Sequence, residues 1–386
     1  MDSFVFSTTG QIFFRPGAST EIGSLLGGRV GGRVLVITDP GLRKLGLCEP
    51  ALNSLQSAGI AVTVFDRVEP DPSLSTAMSA VELGREKAIT GVIGFGGGSS
   101  LDVAKLVALI CGSNEEIEEA WGVGNAKGPR LPLVLVPTTA GTGSEVTPVS
   151  IITVSGDEKR GVSSPILLPD VAILDADLTL GLPPHVTAAT GIDAMVHAIE
   201  SFTSKNANNN PLSKMLARSA LALLGANIER AVEVGSDRPA RGAMLLGSML
   251  AGQAFANSPV AAVHALAYPI GGSFHVPHGL SNTLVLPHVL RFNAPVAAGA
   301  YAAIAADAFP HLVAMQDEAE RCSAFIDNLA GLSAKLGLQQ RLRDVGVRQE
   351  DVGGLARDAM KQTRLLVNNP RDLNETDALA IYQSAW

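Results

Sequence analysis

Through about the first 180 residues, short runs of Val, Ile and Leu alternate with segments of helical period: RVLVIT at 33–38, AVTVFD at 61–66, GVIGFG at 91–96, PLVLVPT at 132–138 and VAILDA at 171–176. These runs are apolar at consecutive rather than alternate positions, which suits strands buried on both faces. The pattern predicts a mainly parallel sheet covered by helices. The opening segment MDSFVFSTTGQIFFRPGA instead alternates apolar and polar residues and reads as half-buried strand. After GLPPH at 181–185 the character changes. Segments such as PLSKMLARSALALLGANIERAVEV are rich in Ala, Leu and Met, keep helical period and carry almost no strand signal. Pro183 and Pro184 suit the first turn of a new helix. The expected division is therefore an α/β domain over 1–183 and an all-helical domain over 184–386, with no internal repeat.

Length agrees with two domains, since 386 residues exceed the roughly 250–300 that one core usually serves. A hydrophobic content of 46 %, 40 glycines and 17 % charged residues describe a folded enzyme-like chain rather than a disordered one. A formal charge of −8 and the lack of any Lys/Arg run with interleaved aromatics argue against nucleic acid as a partner. Three scattered cysteines, Cys48, Cys111 and Cys322, fit a reducing compartment better than a disulfide framework. The N-terminus lacks a basic n-region and a long apolar h-region, and no stretch of about 18 uninterrupted apolar residues occurs. The expectation is a soluble cytoplasmic protein without a membrane partner.

Four potential metal ligands stand out in the helical half. Asp193 and His197 lie four residues apart in GIDAMVHAIES, His264 follows in AVHALAYPIGG, and His278 in FHVPHG. In the first segment Ile192, Met195, Val196 and Ile199 form an apolar stripe, with Asp193, His197 and Glu200 as a polar stripe beside it. A spacing of four puts Asp193 and His197 on one helix face, roughly 5–6 Å apart at Cβ. Polar side chains in so apolar a neighbourhood need a partner. One carboxylate and three imidazoles suit Fe²⁺ or Zn²⁺ better than Ca²⁺ or Mg²⁺, which prefer all-oxygen shells. A satisfied core histidine is the ordinary alternative for any one of these positions, and clustering is what favours a shared ion.

Two loops in the first half carry different chemistry. GFGGGSSLDVAK at 94–105 sets consecutive glycines between a buried strand and a helix. Backbone N–H groups there can cradle a pyrophosphate, and glycine lets it approach closely. The motif is neither GxGxxG nor a P-loop, and a tight strand-to-helix turn with serine caps is the plainer alternative. PTTAGTGSEVTP at 137–148 follows another buried strand and offers the hydroxyls of Thr138, Thr139, Thr142 and Ser144 to phosphate or ribose, with Glu145 in a structural role. Asp39, at the end of RVLVIT, is placed to accept hydrogen bonds from an adenosine ribose and to repel a 2′-phosphate, which favours NAD over NADP; Asp-Pro-Gly is equally a good turn. Asp39 precedes the glycines instead of following them by about 20 residues, so the topology must be a variant of the usual one.

In order, and over essentially the whole chain, GGGSSLDVAK, PTTAGTGSEVTP, GIDAMVHAIES, VHALAYPIGGSFHVPHG and the terminal NNPR…IYQSAW resemble the iron-containing alcohol dehydrogenase family. The resemblance implies an N-terminal Rossmann-like α/β domain, a C-terminal helical domain, a cleft between them holding NAD and the metal, and a homodimer. It implies that Asp193, His197, His264 and His278 ligate Fe²⁺, with Zn²⁺ as the alternative. It also implies that Asp39, Gly97, Gly98, Ser99, Thr138, Thr139 and Thr142 contact the cofactor. The implied reaction is hydride transfer between NAD(H) and a primary alcohol or aldehyde, and the apolar loop around Phe255, Pro259 and Val260 suggests a small or medium aliphatic one. Where members often carry a proton-relaying histidine this chain has Tyr268, a weaker base near neutrality because a phenol titrates near pH ~10. His275 is placed to compensate, and Lys159 corresponds to a lysine near the nicotinamide. Two relatives in fold are less suitable readings. A maleylacetate-reductase type lacks the full ligand set, and a dehydroquinate-synthase-like lyase needs many basic residues that 260–290 does not offer.

Overall fold

The computed structural model describes residues 3–154 and 158–386. Backbone contacts group it into two compact units: Ser7–Leu180, and Gly181–Trp386 with the described residues before Ser7.

Among the described residues the first unit contains nine strands: β1 (Gln11–Phe14), β2 (Arg33–Ile37), β3 (Ala61–Phe65), β4 (Gly91–Gly96), β5 (Gly122–Val123), β6 (Leu133–Pro137), β7 (Val149–Thr153), β8 (Lys159–Ser163) and β9 (Val171–Leu174). Six of them make a sheet of order β1-β9-β6-β4-β2-β3, with every neighbouring pair parallel. The five apolar runs are β2, β3, β4, β6 and β9. Their unbroken hydrophobicity has a simple cause, because successive residues feed opposite cores. Leu35, Ile37, Val92, Leu133 and Leu135 pack into one core, while Val34, Val36, Ile93, Phe95, Val134 and Val136 pack into the other. Burying each such side chain contributes roughly 1.5–3 kcal/mol. The helix Gly98–Ser113 seals the first core, and it lies so close to the sheet that a Cβ on Gly94 would stand 2.8 Å from the Ala104 Cβ and 2.7 Å from Leu135.

Among the described residues of the alternating N-terminal segment, only Gln11–Phe14 becomes strand, paired beside β9 at the sheet edge. A second sheet, β5-β8-β7, did not announce itself in the sequence. Its strand β8 is KRGVS, too charged and short to read as one. From β2 the chain moves outward to β3, then back across to β4 on the other side of β2. The order therefore reverses between β2 and β4, and the loops leaving β2, β4 and β6 stand side by side at the carboxyl ends of adjacent parallel strands. Ligand crevices of open α/β sheets occur at such a reversal.

The second unit is helical, with principal helices Pro184–Thr203, Pro211–Glu233, Arg238–Asn257, Ala262–Phe274, His278–Ala308, Glu318–Lys335 and Glu375–Ala385. Their starts are written in the sequence: Asn210, Asp237, Asp317 and Asn374 each accept a first-turn N–H, and Pro184 occupies a first-turn position. The buried Arg241 guanidinium donates to Thr187 Oγ1 (2.6 Å), Gly235 O and Leu182 O, tying down the start of Pro184–Thr203. Gly191 lets that helix pack tightly, since a Cβ there would come within 2.7–2.8 Å of Met244 and Ile228. The 31-residue helix His278–Ala308 is long and apolar enough for a bilayer by length and composition. Its residues Leu284, Val285, Leu286, Val289 and Leu290 are nevertheless buried inside the helical unit.

Candidate metal centre and dinucleotide loops

Asp193 and His197 project from Pro184–Thr203, His264 from the first turn of Ala262–Phe274, and His278 opens the next long helix. One ligand atom from each lies within 4.8 Å of all the others. Asp193 Oδ1 is 3.7 Å from His278 Nε2 and 3.9 Å from His264 Nε2, and the His197 and His264 rings stack at 4.7 Å. Metal bonds of about 2.0–2.2 Å place atoms of one shell roughly 3.3–4.4 Å apart, so the four groups already surround an ion-sized space.

The surroundings set the histidine tautomer. Glu200 Oε2 lies 2.6 Å from His264 Nδ1, and Glu200 Oε1 accepts the Val263 N–H at 2.7 Å. The carboxylate keeps the ring proton on Nδ1 and leaves the lone pair on Nε2. That Nε2 is buried and has no hydrogen-bond partner, a vacancy worth about 1–3 kcal/mol of lost solvation. A bound cation relieves it, whereas a purely structural histidine would find a donor. One carboxylate oxygen and three imidazole nitrogens, preset in this way, fit a divalent transition ion. His278 is the one ligand whose side chain is substantially exposed, at 35 %, so the centre opens on its side. Phe255 stacks on His197 at 4.5 Å and gives the centre an apolar wall.

In the α/β unit, Gly97 is the N-cap of Gly98–Ser113 and supplies no side-chain cap, so the first-turn N–H groups are available. Ser99 belongs to that first turn. A Cβ on Gly98 would meet Thr142 Cγ2 at 2.9 Å, and one on Gly97 would meet Thr139 at 3.7 Å. The glycine turn and the threonine loop, far apart in sequence, thus form one cradle that side chains would fill. Thr138 follows β6 directly and is buried. Asp39 stands past the end of β2, across the strand reversal from Gly97, where its Oδ1 accepts the Leu42 N–H at 3.0 Å and caps a short helix.

Lys105 sits inside the apolar run LDVAKLVALI, the one sequence signal of its burial. Fully buried, it donates to Ser144 Oγ (2.7 Å), Val149 O (2.6 Å) and Thr147 Oγ1 (3.3 Å). Asp102 accepts from the same Ser144 hydroxyl and from the Ile151 N–H. Together they pin the threonine loop to the glycine-turn helix. Burial pushes the Lys105 amine down. Burial also pushes the Glu145 carboxyl up to about 7 against the pull of Lys105, and Glu145 Oε1 has no hydrogen-bond partner. Of the remaining expected residues, Tyr268 borders the four-ligand group, while Lys159 and His275 lie outside it. Lys159 on β8 is engaged in an ion pair with Asp71. The Tyr268 ring is 5.9 Å from the His278 ring. His275 is exposed and ends the helix Ala262–Phe274 at φ 54°, outside the four-ligand group.

A glycine turn and a hydroxyl-rich loop at the ends of parallel strands, with a carboxylate and three imidazoles gathered on a helical unit, point to the class of dinucleotide-linked dehydrogenases with a candidate metal site. Within it, residues 9–176 match the family model for iron-containing alcohol dehydrogenase and residues 187–386 the C-terminal model of the Fe-containing alcohol dehydrogenase family. A long-chain-alcohol dehydrogenase of Geobacillus thermodenitrificans is 41 % identical over 92 % of this chain and 89 % of its own length. A crystal structure of a 1,3-propanediol oxidoreductase superposes with a TM-score of 0.95 at 34 % identity, covering 100 % of both chains. A sulfoacetaldehyde reductase from Bifidobacterium kashiwanohense, solved in complex with NAD⁺, gives 0.88 at 28 % identity over 100 % of this chain and 99 % of its own. The chain belongs to the iron-containing alcohol dehydrogenase family and is an oxidoreductase acting on alcohols and aldehydes.

Proposed function

We propose that this enzyme interconverts small or medium primary alcohols and their aldehydes as a cytoplasmic homodimer, with one divalent ion held by Asp193, His197, His264 and His278. The observation that carries this reading is the buried, partnerless Nε2 of His264 facing three further ligand atoms within 4.8 Å. The ion is Fe²⁺ by family, with Zn²⁺ equally compatible with the donor set. When bound, the ion supplies Lewis-acid chemistry to the alcohol oxygen, and NAD supplies the hydride acceptor.

The chain's own residues do the rest. Glu200 holds the proton on His264 Nδ1, and Asp193 contributes the anionic ligand. Gly97, Gly98 and Ser99 offer backbone N–H groups to the pyrophosphate, Thr138, Thr139 and Thr142 offer hydroxyls, and Asp39 binds the adenosine ribose. Tyr268 Oη passes the substrate proton onward and the exposed His275 delivers it to water. Lys159 is the nicotinamide-side lysine once its Asp71 ion pair is shared or broken. Phe255, beside His197, favours an aliphatic chain over a charged one. Incubating the metal-loaded protein with NAD⁺ and a panel of aliphatic alcohols, and following absorbance at 340 nm, tests this reading. Net NADH is expected with short primary alcohols, and its absence across the panel, in protein of full metal content, overturns the substrate assignment.

A further inference from the structure

The side chain of Asn282, one helical turn after His278, is fully buried, and the argument for its role rests on the metal reading above. Its Nδ2 is 2.6 Å from Asp193 Oδ1 and 3.3 Å from His278 Nε2. The amide orientation is settled by charge: turning it over would set a carbonyl oxygen against the Asp193 carboxylate. An amide NH₂ only donates, so in this contact His278 Nε2 is the acceptor. The Oδ1 of Asn282 is buried without a partner, an arrangement that costs stability and that burying an amide for fold alone does not call for.

We infer that Asn282 is a positioning residue for the metal centre: its amide presets the Nε2 lone pair of His278 and orients Asp193 Oδ1 before the ion arrives. It does for the most exposed ligand what Glu200 does for the buried His264, by the opposite device. Glu200 accepts the proton of the nitrogen that faces away from the centre, whereas Asn282 donates to the nitrogen that faces it. His278 would give its Nε2 lone pair to a bound ion, while Asp193 Oδ1 can keep the amide bond and offer the ion its second lone pair.

The test uses metal-stripped, full-length protein and Zn²⁺, with affinity measured by competition against a chromogenic chelator and thermal melting recorded with and without the metal. Removing such an outer partner typically weakens metal binding ~10–100-fold. Asn282→Leu and Asn282→Ala are each expected to bind Zn²⁺ at least about tenfold more weakly and to lose most of the metal-induced rise in Tm. The metal-free Tm and NAD⁺ affinity should stay near wild type. If either variant is unstable, nitrogen NMR of the His278 ring in the metal-free wild type reads the same claim, which requires protonated Nδ1 and bare Nε2. Wild-type Zn²⁺ affinity in a folded variant, or an Nε2-protonated His278, overturns the inference and leaves the metal site intact. Failure of the wild type itself to bind Zn²⁺ or Fe²⁺ would instead sink the metal reading.

Discussion

The two units build their functional elements from different materials. In Ser7–Leu180 the candidate cofactor site is mostly backbone: bare glycines, a helix start and hydroxyls, arranged where parallel strands end. In the helical unit it is side chains, each oriented by another side chain, as Glu200 orients His264 and Asn282 contacts Asp193 and His278. A backbone site tolerates change in neighbouring residues but not an added Cβ at the glycines. A side-chain site tolerates backbone adjustment but not the loss of one donor or its outer partner. Substitutions should therefore separate cofactor affinity from metal affinity according to the unit they fall in.

The largest effect is expected in the helical unit. His264→Ala should strip the ion and reduce alcohol-dependent NADH formation to background, with NAD⁺ binding retained; metal analysis and absorbance at 340 nm read both. Glu200→Gln comes next, keeping the shape but weakening the charge-assisted bond to His264, for an expected ~10–100-fold loss in metal affinity. A smaller effect is assigned to the other unit. Gly98→Ala places a methyl 2.9 Å from Thr142 and should raise the KM for NAD⁺ about tenfold, equivalent to about 1.4 kcal/mol, at unchanged metal content. A loss of metal in this variant would dissolve the separation between the units.

A separate effect, on stability alone, concerns pH. Burial raises the Glu145 carboxyl from its ordinary 4.5 to about 7, so the folded protein holds a proton there that the unfolded chain has released. Between these values stability falls as pH rises, and the cost is fully present above about pH 7. Glu145→Gln should accordingly match wild type in Tm near pH 5 and surpass it progressively toward pH 8. A difference independent of pH would mean that Glu145 is ionised throughout, held by Lys105.

What could be read from the sequence follows the same divide. The spacing of Asp193 and His197 was legible because helical period alone puts them on one face. The apolar runs of β2, β4, β6 and β9 were legible because double-sided burial leaves no polar alternation. The kinship of Asp39 with Gly97 was only half visible, since their proximity depends on β2 and β4 lying side by side, a matter of strand order. Glu200 was noticed only as part of a polar stripe, and Asn282 not at all, because their roles exist only once His264 and His278 are folded against them. Lys105 gives no signal of its role in the sequence, because its partners come from the loop after β6 that encloses it. The small sheet was hidden by composition: the strand around Lys159 and Arg160 is too polar to signal burial, and its pairing is supplied by VSIIT on β7.

The most direct measurement is an anaerobic titration of metal-stripped protein with Fe²⁺ in the presence of NAD⁺ and a short primary alcohol, recorded at 340 nm. The four-ligand centre requires NADH production to rise with added iron and to level off at one ion per chain, and Asp193→Ala to show neither response. Undiminished turnover by protein shown to contain no metal would contradict it.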